Sequence, residues 1–213
     1  MKKPKTKNQK PKTQTKNKKT KRLVIKVFLI LLFLLGSLYL VLPSPDLPQD
    51  MPPLPNSVRS TEPGDTTQIA NMAAYYTNLS RKEVIDFYFN QFLRFNLRNF
   101  PLITYKLNHP PERIREVLRE TQQSTYVEEI VHPLRESLFI SGFEWNNDPF
   151  TPPKGRIKNI LIVNGKIYDF KVTLYYQGSG IWQRLLVWWG IWGLGYLLFV
   201  QYKKIYAAFR GYC

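Results

Sequence analysis

Cysteine is nearly absent: the only one is Cys213. That excludes an intramolecular disulfide and any cysteine-based metal site, so whatever folds here is held by packing alone. Histidine is almost as scarce, with His109 and His132 alone, and neither has an acidic residue at a metal-ligand offset on a shared helix. Acid is absent from the first 45 residues, the first carboxylate being Asp46, while residues 1–42 carry twelve Lys and Arg. Residues 43–200 are close to neutral, with sixteen basic and fifteen acidic residues. The formal charge of +16 therefore belongs to the ends of the chain and not to a basic domain. Nucleophile-elbow, phosphate-loop and dinucleotide fingerprints are all missing. No catalytic, cofactor-binding or metal-ligating residue is assigned, and no cofactor is expected.

Two long apolar runs are present. Leu23 to Leu42 is built of Leu, Val, Ile, Phe and Tyr almost throughout. Twenty helical residues span roughly 30 Å, the depth of a bilayer's hydrocarbon core. The one charge, Lys26, lies a turn inside the basic end, where its stem reaches back to the headgroups. The run is too long for a cleaved export signal, and Leu42-Pro43-Ser44-Pro45 offers no small-x-small site. The second run, residues 181–202, has an uncharged stretch, Leu185 to Val200, between Arg184 and Lys203-Lys204, with Trp182 and Tyr202 at interfacial positions.

Basic residues at both ends place both termini in the cytoplasm by the positive-inside rule, so residues 43–180 are extracytoplasmic in the cytoplasmic membrane. The residue pattern gives six segments: a disordered basic tail (1–22), a transmembrane helix (23–42), a Pro-rich linker (43–56), a domain (57–180), a second transmembrane helix (181–202) and a short tail (203–213). The tail has no aromatic residue to stack on a base, so its charge is assigned to topology and to anionic lipid headgroups, not to nucleic acid. Gly36-Ser37 on the first span and Gly190, Gly193 and Gly195 on the second offer small surfaces for close helix packing.

The linker, "PSPDLPQDMPPLPNS", has six prolines and reads as a stiff extended spacer. Short strands are expected near Ser57–Thr61 and Ile69–Thr77. Ser80-Arg-Lys-Glu83 is a capping box, and Val84, Phe87, Tyr88, Gln91, Phe92 and Phe95 follow at helical spacing. A second helix is expected from Pro111, with Ile114, Val117 and Leu118 buried. Residues 124–142 fit helix or strand; Pro133 and the β-branched content favour extended structure. Glu128 and Glu129 then point to opposite faces. Arg135-Glu136 is a candidate buried pair tying helix to sheet. Asn164-Gly165 between two β-rich runs marks a type I′ hairpin. The expected fold is α+β: a small antiparallel sheet with two packed helices, between two transmembrane helices.

The runs "AAYYTNLSRKEVIDFYFNQF" and "EEIVHPLRESLFISGFE" resemble small membrane proteins of reduced-genome bacteria, in which a strand ending in Tyr-Thr leads into a Ser-x-x-Glu-Val-x-x-Phe-Tyr helix. The resemblance covers residues 56–180. It implies a bacterial envelope protein and carries over no catalytic residue. The expected function is a structural, assembly or binding role in the envelope without catalysis, alongside a protein partner. The rival functions are a sensor or assembly subunit with a cytoplasmic partner, and an envelope hydrolase.

Overall fold

The computed structural model describes residues 12–44, 51–62, 71–94, 102–114, 124–142 and 161–211. They form two compact units: the long helices (Met1–Val41 with Leu185–Cys213), and residues Leu42–Arg184.

In the helical unit, α1 spans Lys12–Val41 and α4 spans Ile181–Gly211. Both are long and apolar enough to cross a membrane. Leu23, Phe28, Leu34 and Leu38 on α1, and Leu186, Leu194, Leu198 and Phe199 on α4, are more than half exposed. Helix α1 begins at Lys12 where a disordered tail was expected, and α4 continues past Tyr202 to Gly211. Once an apolar segment has nucleated a helix, each further residue adds a hydrogen bond at little entropic cost, so polar flanks propagate it.

One contact between the two helices is specific. Trp188 donates its indole N–H to the Phe33 carbonyl at 3.3 Å. A side chain at Gly36 would collide with the Trp188 ring. The Trp192 ring meets Phe33 edge-on at 5.7 Å. Side chains at Gly190, Gly193 and Gly195 would meet open space among the described residues, so of these helix glycines Gly36 alone serves close approach.

The second unit is α+β. Its strands are β1 (Val58–Arg59), β2 (Met72–Thr77), β3 (Tyr105–His109), β4 (Tyr126–His132), β5 (Glu136–Gly142), β6 (Leu161–Val163), β7 (Lys166–Tyr168) and β8 (Phe170–Gly178). The helices are α2 (Arg81–Arg94) and the single turn α3 (Pro111–Ile114). Six strands make one antiparallel sheet in the order β1-β2-β8-β5-β4-β3. Helix α2 starts at the capping box: Glu83 accepts from the Ser80 backbone N–H at 2.8 Å and from its hydroxyl at 2.7 Å. Its Val84, Ile85, Tyr88 and Phe92 pack on Tyr75, Ile130, Leu138, Ile140, Val172 and Leu174. Each fully buried side chain contributes roughly 1.5–3 kcal/mol.

Three features depart from the expected fold. The sheet is larger, because Tyr105–His109 is a strand. The Pro-rich linker is not a free spacer: Met51 and Leu54 are 2 % exposed and belong to the core. The Asn164-Gly165 turn has φ of 54° and 73°, as type I′ requires, yet it joins β6 to β7 in a separate two-stranded sheet. Residues 126–142 are extended as expected, with Pro133 in the β4–β5 turn. Val117, Leu118, Phe95, the Glu62–Asp65 turn beyond Glu62 and residues 143–160 lie outside the described residues.

Candidate functional site

Hairpin β4–β5 turns through His132-Pro133-Leu134-Arg135. The Arg135 N–H donates to the His132 carbonyl at 3.0 Å. Proline supplies the first corner. The second requires a positive φ, and Leu134 adopts 62° there. A type II turn normally puts glycine at that corner. A leucine in the left-handed region costs about 1–2 kcal/mol.

That strained turn presents three buried polar side chains: His132, Arg135 and Glu136 are each at most 3 % exposed. The Glu136 carboxylate is the centre. One oxygen, Oε1, lies 2.7 Å from His132 Nδ1 and accepts from Arg135 Nε at 3.2 Å. The other, Oε2, accepts from the Ser44 hydroxyl and lies 3.3 Å from an Arg184 guanidinium nitrogen. Arg135 also donates to the Pro43 carbonyl at 3.0 Å. Arg184 Nε donates to the Ser179 carbonyl at 2.7 Å, and the Ser179 hydroxyl donates to the Arg135 carbonyl at 2.6 Å. Two guanidiniums thus share one carboxylate, and each also donates to a backbone carbonyl, Arg135 to Pro43 and Arg184 to Ser179.

Burial alone would raise the Glu136 carboxyl above its ordinary range. Hydrogen bonds from His132 and Ser44 and the charge of Arg135 outweigh burial, and the group is held below it. The neighbouring Tyr176 hydroxyl is pushed up to about 12, by burial first and by the Glu136 charge second.

Ser44, His132 and Glu136 share the composition of a hydrolytic triad but not its order. In a triad the serine bonds the imidazole and the carboxylate bonds the other ring nitrogen. Here Ser44 bonds Glu136. His132 Nε2 is buried with no hydrogen-bond partner among the described residues, and the ring stacks on Phe92 with centroids 4.1 Å apart. The arrangement is a lock, not a nucleophile with its base. The Arg135-Glu136 pair is buried as the sequence suggested, but it joins the turn to Pro43, Ser44 and Arg184, not to helix α2.

A second polar cluster lies where α2 begins. Arg81 pairs with the buried Glu128 and stacks over the Tyr126 ring, 4.8 Å from its centroid. A groove of about 350 Å³ beside it is lined by Lys82, Asp86 and Lys106 among others. On the opposite face, Glu129 meets His109 Nε2 at 2.7 Å and accepts from the Ser137 hydroxyl at 2.6 Å. His109 is the last residue of β3. Among the described residues, no three His, Cys, Asp or Glu gather to hold a metal ion.

No protein-family model, curated protein or solved structure matches the chain.

Proposed function

We propose that the chain is an integral membrane protein whose two spans, α1 and α4, present the α+β domain on the extracytoplasmic side, with both termini in the cytoplasm. Its role is structural, in assembly or in binding within a bacterial envelope, not catalytic. One observation carries this reading: both long helices expose apolar side chains along their length, such as Leu38 at 63 % and Leu198 at 70 %. Water does not tolerate apolar surface of that extent on a monomer, whereas lipid covers it at no cost. The bilayer is then the first partner, and the basic N-terminal segment meets anionic headgroups. The resemblance to small membrane proteins of reduced-genome bacteria supports the envelope assignment.

The native Cys213 gives the test. In intact cells, an impermeant thiol reagent leaves it unlabelled, and opening the membrane exposes it. Labelling from outside overturns the topology.

A second reading, a sensor or assembly subunit with a cytoplasmic partner, is favoured by the Glu136 cluster. One buried carboxylate holds Ser44, which follows α1 in the chain, and Arg184, in the first turn of α4. A change at the strained turn reaches both connections to the spans. Affinity capture through the basic tail, from membranes carrying wild-type or Glu136→Gln protein, separates the readings: a partner recovered only with the wild type favours the sensor.

A further inference from the structure

Strand β3 ends the six-stranded sheet, and among the described residues nothing pairs with its outer edge. Natural sheets blunt such edges with prolines, bulges, very short strands or charge. The opposite edge obeys, since β1 has only two residues. β3 does not. Its five residues contain no proline, and they pair with β4 in unbroken register, without a bulge. Only Lys106 is charged. Tyr105 is 57 % exposed, Leu107 43 % and the preceding Ile103 61 %. An open row of backbone donors and acceptors beside exposed apolar side chains is the form of a strand-addition site.

The two faces of the edge differ. Tyr105, Leu107 and His109 stand opposite Val131, Glu129 and Val127 and share the face away from α2. Lys106 and Asn108, opposite Ile130 and Glu128, face the groove beside α2. In that groove Arg81 and Glu128 neutralise each other. Lys82 and Lys106 remain against Asp86, leaving a net positive charge. An incoming strand meets that charge at every second residue and the apolar row at the residues between.

We propose that β3 docks an extended segment of another polypeptide in which acidic and apolar residues alternate. The apolar side chains continue the Tyr105–Leu107 row, the acidic ones face Lys106, and the backbone completes the hydrogen bonding of β3. The proposal depends on the sheet and not on the membrane topology, so the two fail separately.

The test uses the full chain in detergent micelles, where both sides are accessible. The probe is a labelled, end-capped heptapeptide of alternating valine and glutamate. Binding is followed by anisotropy, and the amides of residues 105–109 by hydrogen exchange. The valine–glutamate peptide is expected to saturate and to slow exchange at β3. A valine–lysine peptide is expected to bind about five- to tenfold more weakly, the scale of a few exposed ion pairs. The valine–glutamate peptide with alternate backbone nitrogens methylated on its pairing edge should not bind. Lys106→Glu should reverse the charge preference. Three results overturn the proposal: equal binding of the methylated peptide, binding that leaves exchange at β3 unchanged, or β3 amides already protected without peptide in proportion to protein concentration. The last would mean that a second copy of the chain holds the edge.

Discussion

Glu136→Gln removes one charge and almost no volume, so it isolates the electrostatics of the buried cluster. In the wild type two guanidiniums approach the carboxylate to 3.1 and 3.3 Å. At an effective dielectric near 20, a pair with charge centres about 4 Å apart attracts by about 4 kcal/mol, so the two pairs supply about 8 kcal/mol. Desolvating the carboxylate takes back several kcal/mol. The amide loses both terms and leaves two guanidiniums facing each other without a counter-charge. The expected net loss is about 3–5 kcal/mol, the range for breaking a buried pair by removing one partner. A domain of this size has about 5–15 kcal/mol in total.

The assay is a urea melt of the full chain in micelles, followed by the near-ultraviolet dichroism of the domain's tyrosines. Replacing all three charges at once (Arg135→Met, Glu136→Leu, Arg184→Met) should recover most of the loss, because no ion then remains to be desolvated. The pH dependence follows from the lowered Glu136 group. The unfolded chain binds its proton more readily than the folded one. The stabilisation is therefore complete above the ordinary carboxylate value of about 4.5 and is lost as pH falls below it. Glu136→Gln should flatten that acid slope. A variant melting within about 0.5 kcal/mol of wild type, the scale of an ordinary surface change, would mean that the carboxylate does not hold the cluster.

At Leu134, Val should cost about 1–2 kcal/mol in the same melt, because branching worsens the left-handed strain, whereas Gly should cost almost nothing; equal losses would mean the turn is not strained. Gly165→Val places a branched residue at φ 73° but in a hairpin apart from the main sheet, with open space around it. It should speed hydrogen exchange at residues 161–168 and leave the global melt unchanged, and a shifted global midpoint would tie the hairpin to the core. Gly36→Val should push Trp188 off α1 at about 1–3 kcal/mol, seen as a change in tryptophan emission and lower resistance of the helix pair to dodecyl sulfate. Trp188→Ala in the same protein should restore that resistance.

Local chemistry was legible wherever a short stretch carries its own reason. The Ser80–Glu83 box, the α2 stripe through Val84, Tyr88 and Phe92, and the Asn164-Gly165 turn each follow from residues within one element. What those residues cannot state is which surface an element joins. The β6–β7 hairpin has the right turn, but its strands are three residues long and, among the described residues, pair only with each other. The β3 signal was present as alternation, with Tyr105, Leu107 and His109 on one side and Lys106 and Asn108 on the other. Five residues are too few for that alternation to decide, and the next element the sequence announced was the helix starting at Pro111. Strand β4 is buried on most of both faces, so it shows no alternation, and β-branching and Pro133 were the only guides.

The Glu136 cluster was half legible, and the missing half explains what the cluster does. Arg135 and Glu136 are neighbours in the chain, and His132 is one turn away, so proximity alone suggested a pair. Ser44 and Arg184 come from opposite ends of the domain, separated from Glu136 by 92 and 48 positions, and no local pattern announces them. A charge is normally kept out of a core because an unpaired ion costs more than any packing gain. Arg135 and Arg184 are tolerated there because each pairs with the Glu136 carboxylate. The consequence is cooperative: losing any one segment, whether the linker after α1, the turn or the start of α4, strands the remaining charges. The cluster therefore makes the closure of the domain all-or-none where its chain enters and leaves. Apolar residues of equal volume would fill the same space without imposing that condition.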